Sequence, residues 1–304
     1  MIRLYRYLFV FCVTLLSGVV CENTQNFGVR NVTANNPSRY HALSLFNNDH
    51  SSRKRISVRK CQTNNFIFPV KIFSTEQPFF CPAVFISTDS LLTTGLCLKM
   101  LQYKEEHPSS HMFVIIDREN VFFYEHSRRY VSKVFYHMKF DDEPAYYNVA
   151  IVKLRNPVYD RDPSGRSHVS CLWSENHLKN SNAVLSEWFE LEPEQNPSFR
   201  WLDLPIISQE ECRNELDKME HSLPELNRGL QNFQTCVRDS GNSTVIRFCD
   251  TRSSGPLQMS LGNTVYVIGL PTVHIDDCAV NVEVFNKITH YLDWIESVVW
   301  PGQE

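Results

Sequence analysis

Apolar residues occur along this chain in short runs that are separated by polar turn signals, such as the stretch 117–120. Many short runs at this spacing are typical of a β-sandwich or a β-barrel. At 288–299 the apolar residues instead recur at helical spacing, which predicts an amphipathic C-terminal helix, and a smaller helix is expected around 209–219. The apolar runs lie at 66–73, 83–86, 112–116, 121–124, 130–136, 149–154, 184–191, 245–248 and 264–270.

The first residues have the layout of a secretory signal. Arg3 and Arg6 precede an apolar run at 8–20 that is too short to span a bilayer. We expect residues 1–21 to form a signal peptide and the mature chain to begin near Glu22. The protein is therefore expected to be secreted and extracellular, without insertion into a membrane.

Two regions are expected after the signal peptide. Residues 22–60 are polar and rich in asparagine and serine, which is typical of a flexible leader or pro-segment. A basic cluster at 53–60 makes the Arg55–Ile56 bond a candidate cleavage point, although the cluster is also compatible with an exposed segment. Residues 61–304 contain the runs that predict the folded domain.

The charge balance argues against a nucleic-acid partner. The chain has 30 basic and 34 acidic side chains, for a net charge of −4. Loss of Arg3 and Arg6 with the signal peptide makes the balance more negative, about −6, which is ordinary for a soluble protein. Asn31 and Asn242 begin glycosylation acceptor sequences, which agree with secretion and predict a glycoprotein.

The cysteines point to disulfides and not to a metal site. Ten are present, and Cys12 and Cys21 are expected to leave with the signal peptide. An even number in a secreted chain indicates disulfide bonds, whose pairing the spacing alone does not determine. The sequence has no pair of metal-ligand spacing, so we expect no metal and no cofactor, while calcium binding stays open. The remaining cysteines are Cys61, Cys81, Cys97, Cys171, Cys212, Cys236, Cys249 and Cys278.

Several segments, in order along 56–300, resemble the trypsin-like (chymotrypsin-fold, S1-type) serine proteases. Residues 80–87 resemble the family strand Cys-Gly-Gly-Ser-Leu-Ile-Ser, and 93–97 resemble Thr-Ala-Ala-His-Cys. Residues 148–154 resemble Asp-Ile-Ala-Leu-Leu-Lys-Leu, and 249–257 resemble Cys-x-Gly-Asp-Ser-Gly-Gly-Pro-Leu. The tail at 291–295 resembles the closing helix. The resemblance implies two packed six-stranded antiparallel β-barrels followed by a C-terminal α-helix.

The same resemblance implies that the catalytic machinery is degenerate. Leu96 occupies the position of the histidine base and Asn148 that of the aspartate, while Ser253 stands at the nucleophile. A serine hydroxyl without a base is a poor nucleophile, and an amide cannot stabilise an imidazolium by charge. Arg252 replaces the aspartate that receives the new N-terminus in the family, and Thr251 replaces an oxyanion-hole glycine.

The resemblance also maps a substrate pocket that departs from the family. Thr272, Val273 and His274 stand where the family has Ser-Trp-Gly, and His274 is expected to obstruct the backbone of a substrate. Arg247 falls near the pocket floor, where it would reject basic residues. The alternative is that this loop is rearranged and Arg247 faces solvent.

A second segment at 236–241 contains an intact Asp239-Ser240-Gly241 and competes weakly for the role of nucleophile. It lacks the following Gly-Pro-Leu, which stands at 255–257. Its cysteine also lies farther from Cys278 than the family spacing allows. Even as the nucleophile segment it would leave Leu96 and Asn148 without a working triad.

The disulfide pairing is likewise implied by the resemblance. The family pairs correspond to Cys81–Cys97, Cys212–Cys236 and Cys249–Cys278. Cys61 and Cys171 are then left to each other, in a pair similar to the tether that joins a leader segment to the protease domain in cascade proteases.

These residues together predict a secreted, non-catalytic serine protease homologue, or pseudoenzyme, that acts by binding proteins. It resembles the non-proteolytic homologues of insect haemolymph and reproductive secretions, which act as cofactors, decoys or regulators of proteolytic pathways. The expected partner is an extracellular protease, inhibitor or receptor. Two alternatives stay open: an active serine endopeptidase with a rearranged site, and a structural secreted protein.

Overall fold

The computed structural model describes residues within the second of the two units into which the chain divides, Met1–Ser51 and Ser52–Glu304. The signal peptide, the leader, the Arg55–Ile56 bond and the acceptors Asn31 and Asn242 lie outside the described residues. The described residues are 61, 69–75, 79–102, 111–115, 128–140, 145–158, 169–175, 178, 182–189, 198–219, 224–239, 255–272 and 281–302.

Six antiparallel strands form the first barrel: β1 (Val70–Ser74), β2 (Phe80–Phe85), β3 (Ser90–Thr93), β4 (Met112–Ile115), β5 (Arg128–Tyr136) and β6 (Ala150–Leu154). Their order around the barrel is β1-β2-β3-β6-β5-β4. The barrel closes between β1 and β4, where Ile72 pairs with Val114. A short helix, α1 (Gly95–Leu101), follows β3 and carries Leu96.

The second half of the chain contributes seven described strands: β7 (Cys171–Leu172), β8 (Asn182–Phe189), β9 (Ser198–Ile207), β10 (Gln234–Arg238), β11 (Leu257–Leu261), β12 (Thr264–Pro271) and β13 (Val282–Lys287). Six of them follow the order β11-β8-β9-β10-β13-β12 and close through pairing of β11 with β12. The two-residue β7 adds to β12 in parallel. The protein is therefore all-β, with two closed six-stranded antiparallel barrels as expected.

Strand alternation distributes the apolar side chains of one strand between different cores. Successive side chains of a strand point to opposite faces, so one strand can contribute to two cores. In β6, Ala150 and Val152 pack inside the first barrel, whereas Ile151 belongs to a core shared by the two barrels. Leu185 and Phe285 belong to the interior of the second barrel.

The C-terminal helix closes this shared core. A 3₁₀ turn (Ile288–Tyr291) leads into helix α3 (Leu292–Val299). The side chain of Ile295 is fully buried and packs in the same core as Val84 and Ile151 of the first barrel. The helical periodicity at the end of the chain thus corresponds to one face that both barrels bury.

Three of the four expected disulfides connect the described elements. Cys81–Cys97 joins β2 to α1, and Cys61–Cys171 ties the start of the domain to β7. Cys212–Cys236 joins β10 to helix α2 (Gln209–Leu216). The Cα–Cα distances of 5.0, 5.8 and 6.1 Å are ordinary for disulfides. The expected Cys249–Cys278 pair lies outside the described residues.

The apolar pattern did not predict strands β9 and β13, because polar residues interrupt it there. β9 carries Arg200, Asp203 and Pro205 within its ten residues, which interrupts the alternation. β13 includes Glu283, whose side chain is buried despite its charge. The expected runs at 121–124 and 245–248 lie outside the described residues. The helix expected around 209–219 is α2, which begins with a capping box between Ser208 and Glu211.

Replacement of Ile295 by alanine is expected to lower the free energy of unfolding by about 2–5 kcal/mol, since it leaves a cavity in the shared core. The measurement is equilibrium urea unfolding of the disulfide-bonded protein. Ser297→Ala on the exposed side of α3 is the control, and its effect is expected to stay within about 0.5 kcal/mol. Equal effects of the two substitutions would contradict this packing.

Candidate functional site

The buried amide of Asn148 connects segments of the two barrels. The side chain of Asn148 is 1% exposed, and its Oδ1 accepts a hydrogen bond from the backbone N–H of Leu96 at 2.8 Å. Its Nδ2 donates to the backbone carbonyl oxygen of Thr272, also at 2.8 Å. An N–H can only donate and a carbonyl can only accept, so these partners determine the orientation of the amide. Both polar atoms of the Asn148 side chain are therefore hydrogen-bonded to backbone groups.

The first of these bonds caps a helix across a long stretch of sequence. Thr94 occupies the N-cap of α1, but its side chain makes no capping hydrogen bond. The first N–H groups of a helix have no partner within the helix, and a buried donor left alone is costly. Asn148 satisfies one of them from the loop before β6. The start of α1 is thus set by a residue 52 positions away in the chain.

Thr272 provides the second anchor, immediately after β12. Its side chain is 3% exposed, and its Oγ1 donates to the carbonyl oxygen of Val284 at 2.9 Å. Its backbone N–H donates to the same oxygen at 3.0 Å. The hydroxyl is therefore committed to β13, and it is the carbonyl of Thr272 that meets Asn148. Val273 and His274, expected to follow in the substrate strand, lie outside the described residues.

The backbone next to Asn148 adopts an unusual conformation. Tyr147 has φ of 51°, in the left-handed region that residues other than glycine rarely occupy. Its ring stacks on Phe233, at 5.1 Å between centroids, and on His137, at 5.2 Å. His290 stacks on Phe233 at 4.7 Å and lies 6.0 Å from Tyr147, so the four rings form an aromatic cluster. This ring contact supports the strained conformation that aims Asn148 between the barrels.

The environment of His137 keeps its ring neutral near neutral pH. Burial lowers the pKa of His137 to about 4, and electrostatic repulsion by the protonated form of His290 and by Lys139 acts in the same direction. Edge contacts with Tyr291 and Trp294, at 5.4 and 5.0 Å, surround the ring with aromatic groups. His137 therefore belongs to the packing behind Asn148.

A narrow cleft between the barrels lies beside these anchors. Gly255, two residues after Ser253, lines this cleft, as does Thr94 at the start of α1. The end of the segment that resembles the nucleophile motif thus meets the segment that contains Leu96. The positions Arg247, Thr251, Arg252 and Ser253 lie outside the described residues. The cleft is lined by Pro82, Ala83, Val84, Leu92, Thr94, Gly255, Pro256, Leu270 and Pro271.

The competing Asp-Ser-Gly segment follows strand β10. Cys236, at the centre of that strand, forms its disulfide with Cys212. The backbone N–H of Asp239 donates to the carbonyl oxygen of Asn281 at 2.9 Å, which continues the pairing with the β13 segment. Ser240 lies outside the described residues. Cys236 is therefore the disulfide partner of Cys212, as the resemblance implies, and does not correspond to the cysteine that precedes the nucleophile segment.

The family model for trypsin matches residues 55–295, most of the chain. The chain belongs to the trypsin family. The clotting factor G beta subunit of Tachypleus tridentatus is 23% identical over 235 residues, which cover 73% of this chain and 72% of that protein. The tissue-type plasminogen activator of Mus musculus is 23% identical over 240 residues, which cover 73% of this chain and 40% of that protein.

In this trypsin-family chain, the residues that the motifs singled out, Leu96 and Asn148, also lie next to each other in the structure. Motif resemblance assigned Leu96 and Asn148 to the histidine and aspartate positions, and the structure joins the two by a hydrogen bond. Sequence reasoning missed Tyr147, Phe233 and the two stacked histidines, because these rings come from separated segments and follow no period. The left-handed Tyr147 directly before Asn148 carries no signal in the sequence either.

Two other observations concern the whole described part of this trypsin-family chain. No helix in the described ranges has both the length and the apolar content needed to cross a membrane. Among the same residues, no group of three or more histidine, cysteine, aspartate or glutamate side chains is placed to hold a metal ion.

Asn148→Ala is expected to lower the free energy of unfolding by about 2–4 kcal/mol, because it leaves a buried N–H and a buried carbonyl without partners. Asn148→Asp is expected to be most destabilising at neutral pH, since a carboxylate cannot donate to the carbonyl of Thr272. A protonated carboxyl can donate, so the stability of this variant relative to the unaltered protein should recover as pH falls. Urea unfolding at several pH values measures both effects.

Asn182→Ala, at an exposed asparagine in β8, is the matched control for these substitutions and is expected to change stability by less than about 0.5 kcal/mol. A variant Asn148→Asp that is as stable as the unaltered protein at neutral pH would contradict the donor role of the amide.

The buried position of His137 in the aromatic cluster predicts a pH dependence of stability. The pKa of His137 is about 4 in the folded protein, against an ordinary value of 6.5, so the unfolded chain binds more protons between these values. Folding stability should therefore fall as pH decreases from 6.5 towards 4. His137→Phe keeps a ring in the aromatic cluster but cannot titrate, so the stability of this variant should fall less over this window.

Urea unfolding of the unaltered protein and of His137→Phe is measured between pH 6.5 and 4. The difference in their unfolding free energies above pH 6.5 is the internal reference. Parallel curves throughout would show that His137 is not kept neutral by the fold.

Proposed function

We propose that this trypsin-family protein is a secreted, non-catalytic homologue that acts by binding an extracellular protein. The observation that carries the proposal is the pair of hydrogen bonds made by Asn148. They give Asn148, at the position expected for the orienting acid, a structural role. The bond to Asn148 fixes the backbone of Leu96, which stands at the position expected for the base. The aliphatic side chain of Leu96 cannot accept a proton.

The chemistry of the family supports this reading. A serine nucleophile needs a base to take its proton and a charged partner that stabilises the resulting imidazolium. Leu96 has an aliphatic side chain, and the amide of Asn148 is neutral and directed to backbone groups. Loss of the charge alone costs about 10⁴ in rate in a protease that keeps its histidine. Ser253 is then a hydroxyl without activation.

The scaffold argues for a function that depends on the folded surface. Two closed barrels, three disulfides and a shared core are all retained around the altered positions. Disulfides keep a secreted domain folded outside the cell. A binding surface explains why such a framework is kept without the catalytic groups.

The similar proteins favour an extracellular proteolytic pathway as the setting. One relative is named a clotting factor subunit and the other an activator of plasminogen. We therefore propose that the partner is a protease, an inhibitor or a receptor of such a pathway, and that this chain acts as its cofactor, decoy or regulator.

The decisive test is active-site labelling with a fluorophosphonate probe. In an active serine protease, the serine Oγ forms a bond to phosphorus and fluoride leaves. The secreted protein is expected to show no more labelling than its Ser253→Ala variant, because no base activates Ser253. Trypsin labelled under the same conditions shows that the probe is reactive. Stoichiometric labelling of Ser253 would refute the proposal and favour an endopeptidase with a rearranged site.

Affinity capture from the native fluid tests the binding part of the proposal. The unaltered protein and Ser253→Ala are expected to recover the same protease, inhibitor or receptor in equal amounts. Recovery of no specific protein by either would favour the structural alternative. A partner attached covalently to the unaltered protein alone would point back to catalysis.

A further inference from the structure

The aromatic cluster contains two ionisable rings, His137 and His290, which follow strands of different barrels. His137 comes directly after β5 of the first barrel, and His290 lies in the 3₁₀ turn that follows β13 of the second. Tyr147 contacts both rings, at 5.2 and 6.0 Å between centroids. Its position therefore depends on two groups whose charge changes with pH.

A hydrogen bond in the turn after β5 requires the neutral form of His137. The Nδ1 atom of its ring accepts a hydrogen bond from the backbone N–H of Lys139 at 3.2 Å. A neutral imidazole has one acceptor nitrogen, whereas both nitrogens of an imidazolium are donors. Protonation of His137 therefore removes this bond and directs two N–H groups at each other.

The charged groups that act on the two histidines all have the same sign. Lys139 repels a positive charge on either ring. The protonated form of His290 repels a charge on His137, and Lys287 repels one on His290. Asp293, at the start of α3, is exposed and is not among the described groups that act on either ring.

The other side chains packed against the histidines carry no charge in acid. Tyr291 and Trp294 make edge contacts with His137, and Phe233 stacks on His290. Burial lowers the pKa of both histidines and raises the pKa of Tyr291. A charge on either histidine would therefore meet aromatic rings and lysine side chains.

Backbone hydrogen bonds connect His137 directly to the turn that holds Asn148. The N–H of His137 donates to the carbonyl oxygen of Val149 at 3.1 Å. The N–H of Val149 donates to the carbonyl oxygen of Tyr147 at 2.7 Å, which closes a three-residue turn centred on Asn148. Tyr147 holds its left-handed conformation in this turn, so loss of its ring contacts would allow the turn to rearrange.

We propose that His137 and His290 form an acid-sensitive latch between the barrels. When both rings are neutral, the latch is closed, and Tyr147 keeps Asn148 bonded to segments of both barrels. When protons from the solvent charge the rings, the aromatic cluster opens and Tyr147 leaves its left-handed conformation. The hydrogen bond from the N–H of Leu96 to Asn148 is then lost.

The latch couples the acidity of the surroundings to the cleft between the barrels. Thr94, two residues before Leu96, lines this cleft together with Gly255. Loss of the contact between Leu96 and Asn148 would therefore loosen one edge of the cleft. The latch depends on ring protonation and not on Ser253, so its test is separate from the test of the proposed function.

The pH range of the latch follows from the preference of the closed form for neutral rings. The pKa of His137 is about 4 in the closed form, against an ordinary value of 6.5. Opening is therefore favoured progressively as pH falls below 6.5, because the open form binds a proton more tightly. His137 alone should raise the opening constant about 30-fold between pH 7.5 and pH 5. His290 should act in the same direction.

Hydrogen–deuterium exchange at the backbone N–H of Leu96 measures the opening, since this N–H is the donor to Asn148. The secreted, disulfide-bonded chain is labelled at pH 7.5 and pH 5, and the rates are corrected for the intrinsic effect of pH on amide exchange. Protection of Leu96 should fall about 30-fold or more in the unaltered protein. Combined His137→Phe and His290→Phe should hold it within about twofold, because neither ring then takes up a proton.

His111→Phe is the matched control, because His111 is an exposed histidine that directly precedes β4. This variant should keep the full pH response at Leu96. Urea added below the unfolding transition should change exchange at Leu96 by less than about twofold, since a local opening exposes little surface. In the unaltered protein, NMR should show the rings of His137 and His290 titrating over the pH range in which Leu96 begins to exchange.

Several outcomes would overturn the latch. Protection of Leu96 that is equal at the two pH values would exclude the opening. A pH response that persists in the double phenylalanine variant, or that His111→Phe also abolishes, would assign it to other groups. Exchange that accelerates strongly in low urea would show global unfolding. If the double variant does not fold, ring titration in the unaltered protein without a matching change at Leu96 would still refute the proposal.

Discussion

The two hydrogen bonds of Asn148 tie segments of both barrels together. An amide buried in an apolar core must satisfy both its donor and its acceptor, and here both are bonded to backbone groups of two separate segments. One of them begins helix α1 and the other ends strand β12. A helix start, a loop and a strand end are thereby held together by one neutral side chain.

The aromatic cluster around Tyr147 supports this arrangement. Tyr147 holds a left-handed backbone conformation, which a tyrosine adopts only when its surroundings compensate the strain. Stacking against Phe233 and His137 supplies that compensation, with one ring from the second barrel and one from the first. The shared apolar core, closed by α3, surrounds both features. Packing and polar contacts between the barrels therefore act on the same few residues.

The sequence could predict the architecture because motif order and periodicity are local properties. The helical spacing at the chain end predicted the C-terminal helix. The segments around Leu96 and Asn148 were sufficient to predict the fold and to align these two residues with the histidine and aspartate positions of the family. The sequence could not predict that Asn148 donates to the carbonyl of Thr272, because that contact depends on how two distant segments approach each other. Strand register is similarly long-range, so the pairing of distant strands was not predicted from the sequence. Strands β9 and β13 were missed because charged residues and a proline interrupt their pattern.

The amide between the barrels has an evolutionary consequence. A neutral donor at Asn148 stabilises the fold through the carbonyl of Thr272, so a charged carboxylate is no longer a neutral exchange at this position. A carboxylate introduced here before its surroundings changed would give a less stable protein. If the proposed function holds, the amide therefore opposes the gain of hydrolysis, because an acid at Asn148 would need a compensating change near the carbonyl of Thr272.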